Sequence, residues 1–270
     1  MSLVVDRQTF MDRLSEPALW AMIEIELAAW KRAGQAPWMW WRDDDARVPT
    51  RALDRLLALS AEHQAPVALA IIPDVDLTAL AARISGYALV TPIQHGCDHL
   101  DRNRGGGVSS EFGADAPVAE IAATINAAWL RLTAAVGQAA PIYAPPWNVI
   151  TPNVVAALAQ TPLHTVSLYG GSAIDLGPLI GLNTHIDIMR WRPGRFRGGP
   201  EILLRLWRQL RARRKRRAWS EPVGLLTHHK NLDPEAWAFL GRFLERAGRP
   251  GSSLRWRAAT ALLPAAAPGS

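Results

Sequence analysis

Three adjacent carboxylates, Asp43, Asp44 and Asp45, end the apolar run of residues 38–42. Like charges in a row repel, so a cation is expected to hold them. Fifty positions later the chain offers His95-Gly96-Cys97-Asp98-His99, and near its end Leu225-Leu226-Thr227-His228-His229. A carboxylate and two neutral imidazoles make a three-ligand site for zinc or a similar ion, leaving positions for water and a substrate oxygen. His95 and His99, four residues apart, can face one ion from a single turn. Such an ion lowers the pKa of its water from 15.7 toward about 7. A second aspartate beside the first can then complete the deprotonation, which gives neighbouring aspartates separate roles. His228 or His229, arriving from a distant segment, is available as general acid for a leaving group. In Ala144-Pro145-Pro146-Trp147-Asn148, the backbone amide after Pro146 can stabilise an oxyanion, because proline fixes the approach of the chain. The chemistry implied is metal-assisted hydrolysis of an acyl group.

Each of these polar groups follows an apolar, strand-like run, and the C-terminal ends of strands are where α/β barrels and open α/β sheets place their chemistry. The spacing predicts helices over 7–33, 51–63, 76–84, 117–136, 152 to near 162, 200–218 and from 233 onward, with Thr50, Thr151 and Asp233 as N-caps. Strands are predicted at 38–42, 66–72, 87–93, 141–144, 165–168, 180–188 and 223–227. Strand and helix therefore alternate about seven times with no repeat and no linker, which argues for one parallel sheet closed or nearly closed into a barrel. The glycine-rich stretch 101–115 reads as a loop after the histidine segment, placed to act as a lid. The tail after Leu263 reads as frayed.

The chain of 270 residues has the length of one large α/β domain. A single cysteine excludes an internal disulfide, and residues 1–7 lack the basic and apolar regions of an export signal, so a reducing, cytoplasmic setting is expected. Residues 132–174 hold no Asp, Glu, Lys or Arg, but Pro141, Pro145, Pro146, Pro152 and Pro162 exclude a continuous membrane-spanning helix there. The net charge of +6 is concentrated in residues 205–217.

Plainer readings stand beside these. Acidic triplets are usually solvated turns or helix caps, which suits Asp43; Asp44 and Asp45 differ because an apolar strand aims them inward. Cys97 reads as a small buried residue rather than a ligand, and Asp98 as a ligand or as a partner orienting a histidine. Most of the 12 tryptophans read as core or barrel cover. The basic amphipathic segment 203–217 is either a solvated helix face or a contact for an anionic membrane surface or glycan-lipid. No nucleic-acid module accompanies that charge.

Taken together, residues 37–230 resemble the polysaccharide deacetylases of carbohydrate esterase family four, the NodB-homology domain. That resemblance implies a distorted (β/α)7 barrel over 37–248, with 1–36 as helical cover and 249–270 as extension and tail. It implies removal of an acetyl group from an amino sugar with one divalent ion, zinc being the first candidate. The family's paired aspartates resemble Asp44-Asp45-Ala46, making Asp44 the base and Asp45 a ligand; its His-Ser/Thr-x-x-His motif resembles residues 95–99, making His95 and His99 ligands. Its Leu-x-x-His motif resembles residues 225–228, which favours His228 over His229 as acid. The family's Arg-x-Pro-aromatic motif falls on Ala144, Pro145, Pro146 and Trp147, so the arginine that orients the base is absent; Arg42 or Arg190 is expected to replace it. Its Asp-x-x-Asp-Trp motif is echoed by Asp187, Arg190 and Trp191, and Trp147 and Trp191 are expected beside a sugar ring. The function expected is a cytoplasmic, metal-dependent deacetylase of an acetylated sugar or glycan precursor, peripheral at the inner membrane face through residues 203–217. The alternative is a degenerate domain that binds carbohydrate or membrane without turnover. An iron oxygenase also uses two histidines and one carboxylate, but the alternation of strands and helices disfavours it.

Overall fold

A computed structural model describes residues 14–103, 107–113, 115–171, 174–249 and 253–264. Phe10, Gly105, Gly106 and the tail from 265 lie outside the described residues, and with them part of the predicted first helix and part of the predicted lid.

The strands are β1 (Trp38–Ala46), β2 (Val67–Ile71), β3 (Val90–His95), β4 (Ile142–Ala144), β5 (Thr165–Val166), β6 (Ile180–Gly181), β7 (Ile186–Asp187), β8 (Met189–Arg190), β9 (Arg195–Phe196), β10 (Val223–Thr227) and β11 (Arg255–Trp256). The principal sheet runs in the order β6-β5-β4-β3-β2-β1-β10-β7, all parallel. The helices are α1 (Glu16–Arg32), which precedes β1, and α2 (Arg51–Glu62), α3 (Thr78–Ile84), α4 (Val118–Val136), α5 (Pro152–Leu158), α6 (Gly199–Arg216) and α7 (Pro234–Ala247), which lie between or after the strands of the sheet. The expected caps form: Thr50 accepts from the Leu53 amide at 3.0 Å, and Asp233 from the Ala236 amide at 2.8 Å.

The strand expected over 180–188 is one extended segment that changes partner halfway. Its first part pairs with β5, Ile180 beside Thr165, and Thr184 bridges to Tyr169. From His185 onward the bonds go to β10, with the His185 amide on the Gly224 carbonyl at 2.7 Å and Ile186 beside Leu225. The sheet thus curls until both its ends lie on this segment, and the architecture is a distorted (β/α)7 barrel.

Side chains alternate across β1. Met39 and Trp41 join the large core between sheet and helices, while Trp40 packs in a second cluster with Ala68, Ala70, Ile93, Ile142 and Ala144. Small residues opposite Trp40 leave room for its indole, whose Nε1 donates to the Asn183 carbonyl at 3.1 Å. Gly224 is required here, since a Cβ would sit 2.6 Å from both that carbonyl oxygen and Trp40 Nε1. β1 also runs further than expected, through the whole acidic triplet. Asp43 is consequently fully buried rather than a solvated turn.

Helix α6 is the predicted basic helix, and much of its charge is matched internally. Arg205 pairs with Glu201, Arg213 and Arg216 with Glu221, and Arg214 with the buried Glu26 of α1. No helix among the described residues is long and apolar enough to cross a membrane.

Candidate metal centre and active site

Asp45, His95 and His99 converge although fifty residues separate the first two. Asp45 Oδ1 lies 3.2 Å from His95 Nε2 and 3.5 Å from His99 Nε2. A tetrahedral ion with bonds of about 2.0–2.1 Å separates its donors by about 3.3 Å, so the spacing fits such an ion. The register explains how Asp45 arrives there. Asp43 pairs with Leu69 but Ala46 with Ile71, so β1 carries one residue more than β2. That bulge, with Asp45 at φ 71°, turns the carboxylate toward the histidines. His95 ends β3, and its Nδ1 donates to the Ala144 carbonyl at 2.9 Å. A carbonyl can only accept, so Nε2 is the lone-pair nitrogen of the neutral ring.

Asp44 points to the barrel interior, 1% exposed, against the fully buried Arg42. Arg42 Nη2 donates to Asp44 Oδ2 at 2.9 Å, and Nε adds a 2.9 Å ion-pair contact to Oδ1, too bent for a hydrogen bond. Arg42 is itself fixed by the Ser167 carbonyl at 2.6 Å, Ser167 Oγ at 2.7 Å and Asn148 Oδ1 at 2.8 Å. Of the two arginines expected to stand in for the absent one, Arg42 is the one placed on Asp44. Arg190 pairs with Glu201 instead, on the antiparallel β8–β9 pair.

His228 lies at the end of β10, with Nε2 3.7 Å from Asp44 Oδ2 and a buried Nδ1 that has no hydrogen-bond partner among the described residues. Trp191 meets it edge-on at 4.5 Å, and Trp191 Nε1 donates to Asp187 Oδ2 at 2.8 Å. His229 faces the other way: its Nδ1 bonds Asp43 Oδ1, and its amide donates to Asp43 Oδ2 at 3.0 Å. Asp98 is engaged by Arg102 and by the Leu100 amide, not by a histidine. Pro146 packs where a side chain on Gly96 would be, and Trp147 lies 4.4 Å from the His99 ring.

Burial pushes the Asp45 carboxyl up, but the His95 hydrogen bond and charge, then His228 and His99, hold it well below the usual carboxylate range. Burial opposes a proton on His95, yet Asp44 and Asp45 raise its pKa. Burial and the neighbouring His95 lower that of His99. Asp187 is raised by burial, against the pull of His228. Above these groups opens a cavity of about 560 Å³ lined by Asp44, Asp45, His95, His99, His228 and Asp187, walled by Trp147, Trp191, Tyr169, Asn148 and Arg197. Sequence reasoning did not find Tyr169, Ser167, Arg197 or Glu111. Glu111 accepts from the amides of Cys97, Asp98 and His99. Such side-chain-to-backbone contacts carry no sequence signature.

No family model matches the sequence, and no curated protein matches it. Solved structures do match. A Mycobacterium smegmatis protein of the polysaccharide deacetylase type superposes with a TM-score of 0.58 at 16% identity, covering 84% of this chain and 88% of that one. A peptidoglycan N-acetylglucosamine deacetylase gives 0.54 at 12% identity, over 87% and 96% of the two chains. A carbohydrate esterase family four pseudoenzyme from Bacillus anthracis gives 0.51 at 14% identity, over 84% and 65%. With identities this low the likeness is one of backbone arrangement, and in that arrangement the chain has the fold of the polysaccharide deacetylases of carbohydrate esterase family four, in a divergent form.

Proposed function

We propose that this protein is a metal-dependent hydrolase that removes an acetyl group from an N-acetylated sugar or glycan precursor. The observation that carries the reading is the convergence of three metal-type donors beside an arginine-anchored aspartate and a histidine with an unpartnered ring nitrogen. Asp45, His95 and His99 would hold one divalent ion, zinc by donor type. That ion supplies polarisation of the acyl oxygen and acidification of water. Asp44, fixed by Arg42, takes the proton from the attacking water, and His228 delivers a proton to the leaving nitrogen. Asp187 balances charge on His228 and holds Trp191 by its indole N–H. The backbone amide after Pro146 is assigned to stabilise the developing oxyanion. Trp147 and Trp191, 37% and 49% exposed, present aromatic faces suited to the apolar faces of a sugar ring.

The setting proposed is cytoplasmic, with residues 203–217 resting on an anionic membrane or glycan-lipid. Metal analysis, together with deacetylation assays on a panel of acetylated sugars, tests the activity. Release of acetate that disappears in Asp44→Asn supports it; absence of both bound metal and turnover removes it. The second reading is a binding domain without turnover. It is favoured by alanine at position 144, where the motif arginine belongs, and by a pseudoenzyme among the fold neighbours. Sugar binding without acetate release from the metal-loaded protein would select it.

A further inference from the structure

We infer that Glu111 is the positioning residue that pre-shapes the turn 95–99 to receive a divalent cation; the inference rests on the metal-site reading above. Glu111 is 3% exposed and comes from the loop after the histidine segment. Its Oε1 accepts three successive backbone amides, Cys97 at 2.7 Å, Asp98 at 2.8 Å and His99 at 2.7 Å. Consecutive amides aimed at one point form a concave anion site, here filled by the protein's own carboxylate. Charge-assisted bonds of this kind are about twice as strong as neutral ones, and three of them fix three peptide planes at once. Oε2 accepts from the Tyr143 hydroxyl at 3.3 Å, so both oxygens are engaged within the protein.

The turn so held contains two left-handed residues, a conformation that glycine adopts freely and histidine does not. Gly96 sits at φ 60° and His99, a residue with a side chain, at φ 58°. That conformation brings His99 Nε2 to 3.5 Å from Asp45. A Cβ at position 96 would lie 2.7 Å from Glu111 Oε1 and 2.5 Å from Pro146 Cγ. Glycine, where the resembled motif has serine or threonine, is therefore what admits the Glu111 carboxylate. The three Glu111 bonds hold the turn by contacts within the protein alone, and on that ground the turn is inferred to form before metal arrives.

The test uses cobalt(II) and zinc(II) titration of the full chain, with the visible spectrum of the cobalt form as a readout separate from turnover. Glu111→Gln keeps the shape and one acceptor oxygen but loses the charge. It is expected to bind cobalt about 10-fold more weakly, in the range for outer partners of metal ligands, with an altered visible band; Glu111→Ala should lose more. A folded Glu111→Gln variant with wild-type affinity and spectrum overturns the inference, even if its melting temperature falls. Should both variants fail to fold, hydrogen exchange on the metal-free wild type decides. Protected amides at 97–99 support pre-shaping, and amides that become protected only when zinc is added overturn it. The metal-site reading fails separately, if wild-type cobalt binding is unaffected by His99→Ala.

Discussion

Two aspartate–histidine clusters lie on either side of one strand, and they have opposite characters. On the helix side, Asp43 Oδ2 accepts from Thr227 Oγ1 at 2.6 Å and from the His229 amide, Oδ1 bonds His229 Nδ1, and Trp41 Nε1 donates to Thr227 Oγ1 at 2.8 Å. Every member of that network is essentially buried, and among the described residues His229 Nε2 is the one of its side-chain nitrogens and oxygens without a hydrogen bond. On the interior side, Asp45 shares one oxygen between two imidazoles, and His228 Nδ1 has no hydrogen-bond partner among the described residues. The residue types are the same and the positions close together: the period of two sends the neighbours Asp43 and Asp44 to opposite faces, and the bulge turns Asp45, which would otherwise share the face of Asp43, to the interior. A network whose bonds are nearly all internal holds a structure together. Converging donors left partly unsatisfied beside a cavity are equipped to bind and to react.

Substitutions on the two sides should divide accordingly. Asp44→Asn is expected to cost about 10²–10⁴ in turnover, while zinc affinity, read by competition with a chelator, stays within a few-fold. A comparable loss of affinity would merge the roles of Asp44 and Asp45. Asp43→Ala, on the other side, should cost about 3–5 kcal/mol of folding stability in urea and leave the cobalt spectrum unchanged; a changed spectrum would join the clusters into one functional unit. Arg42→Met is expected to lower kcat more than 10-fold with little change in KM, as for an interaction made in the transition state. Arg190→Met, in contrast, should leave kcat/KM within about twofold, since Arg190 pairs with Glu201. Equal rates for both variants would end the replacement of the motif arginine by Arg42.

The smallest effect is read in the pH dependence of stability. Burial, then the Arg213 charge, lowers the His185 pKa from 6.5 to about 3. The folded protein therefore resists a proton that the unfolded chain accepts. The stability tied to neutral His185 is complete above pH 6.5 and falls progressively between pH 6.5 and about 3. His185→Asn should flatten that slope in urea melts taken across the window, and an unchanged slope would assign it to other groups.

The sequence made the strand ends legible because an apolar run that stops at charged residues has few buried solutions. Asp44, Asp45, His95, His99 and His228 were all named from such ends, and all line the cavity. The choice between Arg42 and Arg190 is not legible, since it depends on Arg42 sharing a face of β1 with Asp44 and on Arg190, on the β8–β9 pair, meeting Glu201 instead. Asp43 reads as solvated because the apolar run stops at Arg42; the strand in fact continues to Ala46, and ladder pairing of Asp43 with Thr227 and Leu69 carries it under the helices. Glu111 was invisible for a different reason: it lies in a glycine-rich loop without periodicity and bonds to backbone, whose amides are the same in every sequence.

The segment joining β5 to β10 gives the ring a seam. It is held by two ladder pairs and the Thr184 bridge on the β5 side and by two pairs on the β10 side, and β3–β4 and β4–β5 also share two each, whereas β1 and β10 share five. Short ladders open with the least free energy, so the hoop should part along this thin arc, from β4 round to β7, before the longer ladders joining β1, β2, β3 and β10 separate. Asp187 and Tyr169 stand on that seam and also wall the cavity. Mild heat or denaturant should therefore silence the protein while most of its backbone amides still resist exchange.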